Sequence, residues 1–239
     1  MSDAYDNLCV VLVATRNPVN LGAAARALGN FGFTRLRVVN PYEVAFREAR
    51  SAVGAAALLA NAEEYVTVAA AVADCALVVG TTAARHRELQ HPLRRLEQGA
   101  RLIRKQLTSG RVALLFGSEK VGLSNQDLSH CNWLMRIPTC EKNLSMNLGQ
   151  AVAVCLYELV RVGKATRSPG KAQRATAAEV ERITAVLLDA LCASGYVKPR
   201  AAAATEEKLR RLLCRLDLGA TDAEVLLGML RQIVWKLRQ

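Results

Sequence analysis

Residues 8–31 read LCVVLVATRNPVNLGAAARALGNF, and the change of pattern within this stretch decides the fold. The first eight residues are continuously apolar, which is typical of a strand covered on both faces. From residue 20 onward the apolar residues follow helical spacing, with Leu21, Ala24 and Leu28 on one stripe. A buried strand followed by an amphipathic helix indicates a crossover unit of a parallel sheet.

The same alternation of strands and helices continues to about residue 161. We therefore expect an α/β fold with a mainly parallel sheet and helices on both faces. Ligands of such sheets bind outside the carboxyl ends of the strands. The loops expected there follow Thr15, Gly80, Phe116 and Ile137. The predicted strands are 8–15, 36–39, 76–80, 112–116 and 133–137, and the predicted helices are 20–31, 45–61, 92–108 and 147–161.

A different pattern begins after residue 163. Residues 164–175 combine Gly, Pro, Ser and basic residues and are expected to be a linker. Residues 176–239 show three amphipathic helical patterns, and Thr176 with Glu179 has the sequence of a capping box at the first. We expect a domain at residues 1–163 and a small α-helical C-terminal extension at 176–239.

The charge of the chain favours a polyanionic partner. The 239 residues carry a formal net charge of +11. The excess lies in two segments, residues 85–105 and residues 164–239. A basic surface of this kind favours nucleic acid, and the alternative is a solvated basic face without a partner.

The cysteines and histidines do not suggest a metal site. Seven cysteines, an odd number, are widely spaced without a CxxC pair, and the three histidines do not complete a zinc pattern. We expect reduced cysteines in a cytoplasmic protein. The N-terminal residues lack the features of a signal peptide, and the longest apolar stretches are too short to cross a bilayer, so no membrane is expected.

The first of three unusual blocks places Asn20 and Arg26 on either side of Gly22, near a predicted helix start. Arg26 could bind a phosphate through two parallel hydrogen bonds. The alternative is that Asn20 is an ordinary helix N-cap and Arg26 an ordinary exposed residue of the helix.

The second block, FGSEKVGL at residues 116–123, follows a predicted buried strand. Its two glycines indicate a tight turn close to a ligand, with Glu119 held at the turn. The alternative places Glu119 near a helix start, where a negative charge is favourable. The block is neither a G-x-G-x-x-G fingerprint nor a P-loop, so a dinucleotide site is poorly supported.

The third block places Ser145 and Asn147 at the start of a very apolar predicted helix. Either residue would serve as an ordinary N-cap. The functional interpretation is that the backbone N–H groups of this helix start bind a small molecule.

The order and spacing of the three blocks resemble the SPOUT family of RNA methyltransferases. The ribose 2′-O-methylating branch of that family carries N-x-G-x-x-x-R, F-G-x-E-x-x-G-L and S-[LM]-N in this order. The resemblance covers about residues 5–163 and implies a trefoil-knotted domain. Within the branch, residues 11–28, the loop at 80–83 and, more loosely, the C-terminal extension are most similar to the TrmJ-type enzymes.

The resemblance implies methyl transfer from S-adenosylmethionine to a ribose 2′-hydroxyl of tRNA, on cytidine or uridine at the first position of the anticodon loop (position 32). It also implies a homodimer, an RNA-binding extension and no metal. The implied catalytic residues are Arg26, Asn20, Glu119, Ser145 and Asn147. The implied cofactor residues are Thr81, Thr82, Ala83, Gly117, Ile137, Leu144, Ser145 and Met146. The implied RNA-binding residues are Arg85, Arg87, Arg94, Lys208, Arg210 and Arg211.

Three alternatives stay open on the sequence. The same chemistry could act on another tRNA position or on ribosomal RNA. A non-catalytic RNA-binding protein could share the fold, although the intact polar blocks argue against it. A nicotinamide-dependent oxidoreductase would fit the alternation of strands and helices, but it would lack its glycine fingerprint.

Overall fold

Seven parallel strands form the centre of the sheet domain in the computed structural model. The structure describes residues 5–42, 56–83, 90–140, 142, 144–161 and 174–239. The first eleven residues of the predicted helix at 45–61, the predicted RNA ligands Arg85 and Arg87, and most of the predicted linker lie outside these ranges. The domain boundaries at the linker therefore stay predictions.

The strands pair in the order β3-β2-β1-β6-β4-β7-β5, and every pair is parallel. This confirms the predicted α/β fold with a parallel sheet. The trefoil knot stays a prediction, because strand order alone does not define the path of a loop. The strands are β1 Leu8–Val13, β2 Arg35–Val39, β3 Glu63–Tyr65, β4 Leu77–Thr81, β5 Leu93–Arg95, β6 Val112–Phe116 and β7 Trp133–Arg136.

Helices cover both faces of the sheet, as predicted. On one face, α1, α4 and α6 pack against Leu8, Val10 and Leu12 of β1. On the other face, α3 and α5 pack against Cys9 and Val11 of the same strand. The helices are α1 Pro18–Phe31, α2 Ala56–Ala60, α3 Val68–Val72, α4 Leu96–Leu107, α5 Asn125–Ser129, α6 Leu148–Val160, α7 Ala177–Ala193, α8 Ala202–Leu216 and α9 Ala220–Leu237, with short 3-10 helices at Tyr5–Asn7 and Pro199–Ala201.

Two edge strands were not predicted from the sequence. Leu93–Arg95 forms β5, and the helix predicted at 92–108 begins only at Leu96. This correction has a tertiary cause, because β5 pairs with β7 through residues Leu93 to Arg95. The strand Glu63–Tyr65 likewise pairs with β2 and carries no apolar alternation.

The start of α1 explains the placement of the first polar block. Asn17 is the N-cap, and its side chain accepts a hydrogen bond from the Val19 backbone N–H. Pro18 occupies the first helical turn, where a backbone N–H would have no acceptor within the helix, so proline is tolerated there. Asn20 therefore lies inside the helix, and the alternative of Asn20 as the N-cap is wrong.

The C-terminal extension has a small apolar core of its own and docks on the α3 and α5 side of the sheet domain. Ala177 and Ala178, at the start of α7, donate backbone hydrogen bonds to Cys75 (2.9 Å) and Ala73 (3.0 Å). Asn132 donates its side-chain N–H to the Cys214 carbonyl of α8 at 3.0 Å. The extension is thus attached through both α7 and α8, and its core includes Ile183, Leu213 and Leu230.

Candidate active site

A cavity of about 510 Å³ opens at the carboxyl end of the sheet, where the loops after β4, β6 and β7 meet. Sites for small molecules commonly have volumes of roughly 300–1,000 Å³. All eight predicted cofactor residues line it: Thr81, Thr82, Ala83, Gly117, Ile137, Leu144, Ser145 and Met146. The structure therefore brings together residues that are far apart in the sequence, and their individual roles stay predictions.

The two glycines of the second block form the tight turn that the sequence predicted. The Gly122 N–H donates to the Ser118 carbonyl at 2.8 Å, and Gly122 has a φ of 71°. A Cβ atom on Gly117 would lie 2.0 Å from the Gly122 carbonyl carbon. Only glycine fits at position 117, so this turn can fold back beside the cavity and hold Glu119 at its rim.

A polar network joins the three blocks at the rim of this cavity. Asn20 Nδ2 donates to Glu119 Oε1 at 2.9 Å. Asn147 Nδ2 donates to Asn20 Oδ1 at 2.8 Å. Asn20 itself is 6% exposed, so both of its amide ends are satisfied inside the protein. The first, second and third blocks therefore meet at one side chain.

The chemistry of the groups fixes the orientation of the Asn20 amide. An ionised carboxylate can only accept hydrogen bonds, so the NH₂ end of Asn20 has to face Glu119. The oxygen end then faces the NH₂ group of Asn147. This leaves the Asn147 oxygen free to cap α6, where it accepts from the Gln150 N–H at 3.3 Å. The capping alternative for Asn147 is thus correct, and the same side chain also belongs to the network.

Glu119 also holds the loop between β1 and α1. Its carboxylate accepts from the backbone N–H groups of Arg16 (3.4 Å) and Asn17 (3.3 Å). Burial raises the pKa of Glu119, but the hydrogen bonds from Asn20 and from these backbone groups outweigh it, so the pKa lies below its ordinary value. A charged carboxylate with several donors is a positioning group and a poor proton acceptor.

The loop before α6 forms another wall of the cavity. Thr139 Oγ1 donates to the Leu144 carbonyl at 3.1 Å, which closes the loop after β7. Ser145 is exposed and lines the cavity. The structure does not make Ser145 the N-cap of α6, because Asn147 occupies that position.

Arg26 does not line the cavity. It lies on α1 beyond Asn20, is exposed, and has no hydrogen-bond or ion-pair partner within the described ranges. A guanidinium without a protein partner can bind a phosphate without first breaking an ion pair. Of the five predicted catalytic residues, the structure places four around the cavity and Arg26 outside its lining.

The predicted RNA ligands within the described residues differ in their surroundings. Lys208 is exposed on α8. The Arg211 side chain is only 12% exposed and lies 3.6 Å from Glu207. Arg94 stacks over the Trp133 ring, with the guanidinium carbon 5.6 Å from the ring centroid. Lys208 therefore lies at the surface, whereas the Arg211 side chain is largely buried.

The surroundings of Arg210 contradict its predicted role as an RNA ligand. The side chain is buried, and its guanidinium forms two hydrogen bonds with Glu181 at 2.7 and 2.8 Å. A third bond, of 2.6 Å, joins it to Glu206. Its remaining nitrogen points to Ser129 Oγ in the sheet domain, at 3.4 Å. Arg210 is therefore committed to the junction between the extension and the sheet domain, which does not favour contact with RNA.

Several residues of the site were missed from the sequence. Arg16 and Asn17 hold Glu119 through their backbone N–H groups, and Leu123, Leu128 and Met135 give the cavity apolar walls. Arg16 and Asn17 could have been found from the sequence, because they follow directly after the first predicted strand. The apolar wall residues carry no such signal, since they look like any other core residue.

The described part of the chain contains no cluster of three or more His, Cys, Asp or Glu side chains that could hold a metal ion. Within the same ranges, no helix has the length and hydropathy needed to span a bilayer.

The parallel sheet, the cavity at its carboxyl edge and the polar network at its rim define an α/β domain with a site for a small molecule. The family model described as "SpoU rRNA Methylase family" matches residues 7–157. The chain belongs to this family, which confirms the relationship that the three blocks predicted.

The similarity to individual proteins extends over nearly the whole chain. The tRNA (cytidine/uridine-2'-O-)-methyltransferase TrmJ of Cronobacter sakazakii is 34% identical over 236 residues, which cover 95% of this chain and 96% of that protein. The protein of the same name from Escherichia coli (strain K12) is 34% identical over 235 residues, 95% of each chain. The crystal structure of TrmJ from Z. mobilis ZM4 aligns with a TM-score of 0.80 at 32% identity and covers 94% of this chain and 98% of that one.

Proposed function

We propose that the chain is an S-adenosylmethionine-dependent RNA methyltransferase that acts on the ribose 2′-hydroxyl of tRNA. The target would be cytidine or uridine at the first position of the anticodon loop (position 32). The relatives that match 95% of the chain are tRNA (cytidine/uridine-2'-O-)-methyltransferases by name, which supports tRNA, the two pyrimidines and the 2′-oxygen. The position in the loop rests on the resemblance of the sequence blocks.

The observation that carries the proposal is the pair of hydrogen bonds that the Asn20 amide forms, one with Glu119 and one with Asn147. Asn20 lies 99 residues from Glu119 and 127 residues from Asn147 in the sequence. Such distant blocks would have no reason to converge on one buried amide in a protein that only binds RNA through its surface. Their convergence holds three loops in fixed positions around a cavity, which transfer of a group between two bound molecules requires.

The cavity suits S-adenosylmethionine in size and in chemistry. Its apolar walls, Leu123, Leu128 and Met135, offer a surface for the adenine ring. The hydroxyl groups of Thr82 and Ser145, and the backbone of the Gly117 turn, offer polar partners for the ribose and the amino-acid part. When bound, this cofactor supplies a methyl group made electrophilic by its sulfonium.

The residues of the chain would position the ribose and stabilise its charge. In such a transfer the ribose 2′-oxygen would gain the methyl group, S-adenosylhomocysteine would be the leaving group, and the 2′-hydroxyl proton would pass to water or to the neighbouring phosphate. A guanidinium is a cation, so Arg26 would orient this phosphate and stabilise the developing alkoxide. Glu119, Asn20 and Asn147 are positioning residues.

The RNA would be held by basic residues of the predicted set. Lys208, Arg211 and Arg94 are retained from the sequence prediction, together with Arg85 and Arg87. Such phosphate contacts make affinity fall steeply with salt. We further propose that the enzyme works in the cytoplasm, where unmodified tRNA is found, and as a homodimer.

The test is to incubate the purified chain with unmodified tRNA transcripts and methyl-labelled S-adenosylmethionine. Nuclease digestion and mass spectrometry then locate the label. A 2′-O-methyl group at the first position of the anticodon loop, lost in Arg26→Ala and retained in Asn30→Ala, is the expected result. Asn30 is a matched control because it is exposed on the same helix, one turn beyond Arg26.

Other outcomes separate the parts of the proposal. Label at another tRNA ribose would contradict the proposed target nucleotide but would still support 2′-O-methylation of tRNA. Label on ribosomal RNA and none on tRNA would contradict the substrate. Binding of S-adenosylmethionine without transfer to either RNA would contradict the enzyme and favour a binding protein on the same fold.

A further inference from the structure

The last helix of the extension has an apolar side that nothing in the described part of the chain covers. On α9, Ala223, Leu230 and Val234 are buried and pack toward α7. Val225 and Met229, on another side of the helix, are 56% and 55% exposed. Ile233 continues this side at 49%.

The residues of this side have a symmetrical spacing. Asp222, Val225, Met229, Ile233 and Lys236 are separated by three, four, four and three residues. These steps keep all five on one side of a helix. The order is therefore a negative charge, three apolar residues and a positive charge, with Met229 at the centre. We call this set the α9 stripe.

We propose that the α9 stripe binds the α9 stripe of a second copy of this chain, antiparallel, about a two-fold axis at Met229. In that arrangement Val225 lies opposite Ile233 of the second copy, and Met229 lies opposite Met229. Asp222 lies opposite Lys236 of the second copy at both ends, so the charges are complementary. A closed pair with the same surface on both partners is the commonest form of self-association.

The charges at the ends favour a second copy over other occupants. Both Asp222 and Lys236 are exposed, and their opposite signs match only in the antiparallel pair, because a parallel pair would place like charges together. A nucleic acid would avoid the apolar centre and the negative end. The contact lies in the extension, so it adds to any contact between the sheet domains.

The size of the contact sets the conditions of the test. The helix has 18 residues and is about 27 Å long. One pair of such helices buries less surface than a free-standing dimer usually does, so self-association is measured at high protein concentration and captured by a disulfide.

The first experiment places a cysteine at the predicted axis. Of the seven free cysteines, Cys140 and Cys192 are exposed, so both are first replaced by serine. In that background Met229→Cys is oxidised and run on a non-reducing gel. We expect a covalent dimer from Met229→Cys and at least a tenfold lower yield from Arg231→Cys. Arg231 is an exposed residue of the same helix that lies away from the stripe. Equal yields from the two variants would overturn the proposal.

The second experiment tests the charges by reversal in the Met229→Cys background. Asp222→Lys alone and Lys236→Asp alone each place like charges opposite one another, and we expect each to lower the dimer yield by about tenfold. The double variant restores opposite signs and is expected to recover the yield to within about twofold. Glu224→Lys makes the same charge change in the same turn, off the stripe, and should leave the yield unchanged.

The double variant also distinguishes an effect on the interface from an effect on the stability of the helix. A lysine near the start and an aspartate near the end both oppose the helix dipole, so a purely structural effect predicts that the double variant is worse than either single one. A double variant as low as the single ones would overturn the proposal, as would a single reversal without effect.

Discussion

Asn20 and Glu119 are 99 residues apart in the sequence, and the amide of one donates a 2.9 Å hydrogen bond to the carboxylate of the other. The same amide accepts from Asn147, so a single side chain ties together the loops after β1, after β6 and before α6. The bond places the first and second blocks of the sequence beside one cavity. It also keeps Glu119 charged at neutral pH, because hydrogen bonds to a carboxylate favour its ionised form.

Asn20→Asp is expected to abolish this bond while keeping the shape of the side chain. The new carboxylate would face the charged carboxylate of Glu119 and would have no proton to donate at neutral pH. We expect kcat/KM to fall by at least about tenfold, or about 1.4 kcal/mol of transition-state stabilisation. Steady-state methyl transfer measures it, and an unchanged kcat/KM would show that the network is not needed for the reaction.

Gly117→Ala is expected to disrupt the turn beside the cavity. The added Cβ would lie 2.0 Å from backbone carbon, so the turn has to move. We expect a loss of about 1–3 kcal/mol in the free energy of unfolding, together with weaker cofactor binding. Gly228→Ala is the control, because a Cβ there meets no atom within 4 Å and alanine favours the helix. Urea unfolding and calorimetric titration with S-adenosylmethionine provide the two readouts, and equal behaviour of the two variants would contradict the account.

Arg210 and Lys208 lie two residues apart on α8, and we expect their loss to affect different properties, stability for Arg210 and tRNA binding for Lys208. Arg210→Ala leaves Glu181 and Glu206 without their buried partner and should cost about 3 kcal/mol of stability. Lys208→Ala should change stability by less than about 0.5 kcal/mol, because Lys208 is exposed. It should weaken tRNA binding and lower the slope of log affinity against log salt by about one. A Lys208 variant with an unchanged salt slope would remove that residue from the RNA surface.

Asp74 is expected to make the stability of the sheet domain depend on pH in the acidic range. It pairs with the buried Arg37 at 2.6 Å and with Arg111, and the hydrogen bonds from these guanidinium groups hold its pKa well below the ordinary value of 3.8. A folded pKa below the unfolded one gives stability that is present above about pH 4 and is lost as the pH falls further.

Asp74→Asn tests this dependence. Since Asp74 is partly exposed and Arg37 keeps its second partner Glu63 at 3.1 Å, we expect a loss of about 2 kcal/mol at pH 7. The difference from the unchanged protein should shrink on going from pH 5 to pH 2. Unfolding by urea over this range measures it, and a difference independent of pH would show that the charge of Asp74 is not what stabilises the fold.

The buried strands and most of the long helices could be predicted from the sequence, and the edges of the sheet could not. Strands β1 and β6 are continuous apolar runs because both of their faces are covered. The edge strands Glu63–Tyr65 and Leu93–Arg95 have no such pattern, and only pairing with a neighbouring strand makes them extended. That pairing is a property of the folded chain.

The contents of the site could be predicted, but its internal connections could not. Asn17 and Asn20 are both residues that favour an N-cap, and the sequence does not show which of the two caps α1. In the run Lys208 to Arg211, the basic residues look alike in the sequence. Docking of α8 on the sheet domain buries Arg210 and leaves Lys208 in solvent. Both distinctions depend on contacts between distant segments.

In the proposed reaction, the 2′-oxygen of one tRNA ribose receives the methyl group. The most direct test compares two tRNAs assembled from fragments that differ in one atom: one has cytidine at the first position of the anticodon loop and the other has 2′-deoxycytidine there. We predict that methyl-labelled S-adenosylmethionine labels the first tRNA and leaves the second unlabelled. Equal labelling of both would contradict the account, because the methyl group would then be on a base or on another ribose.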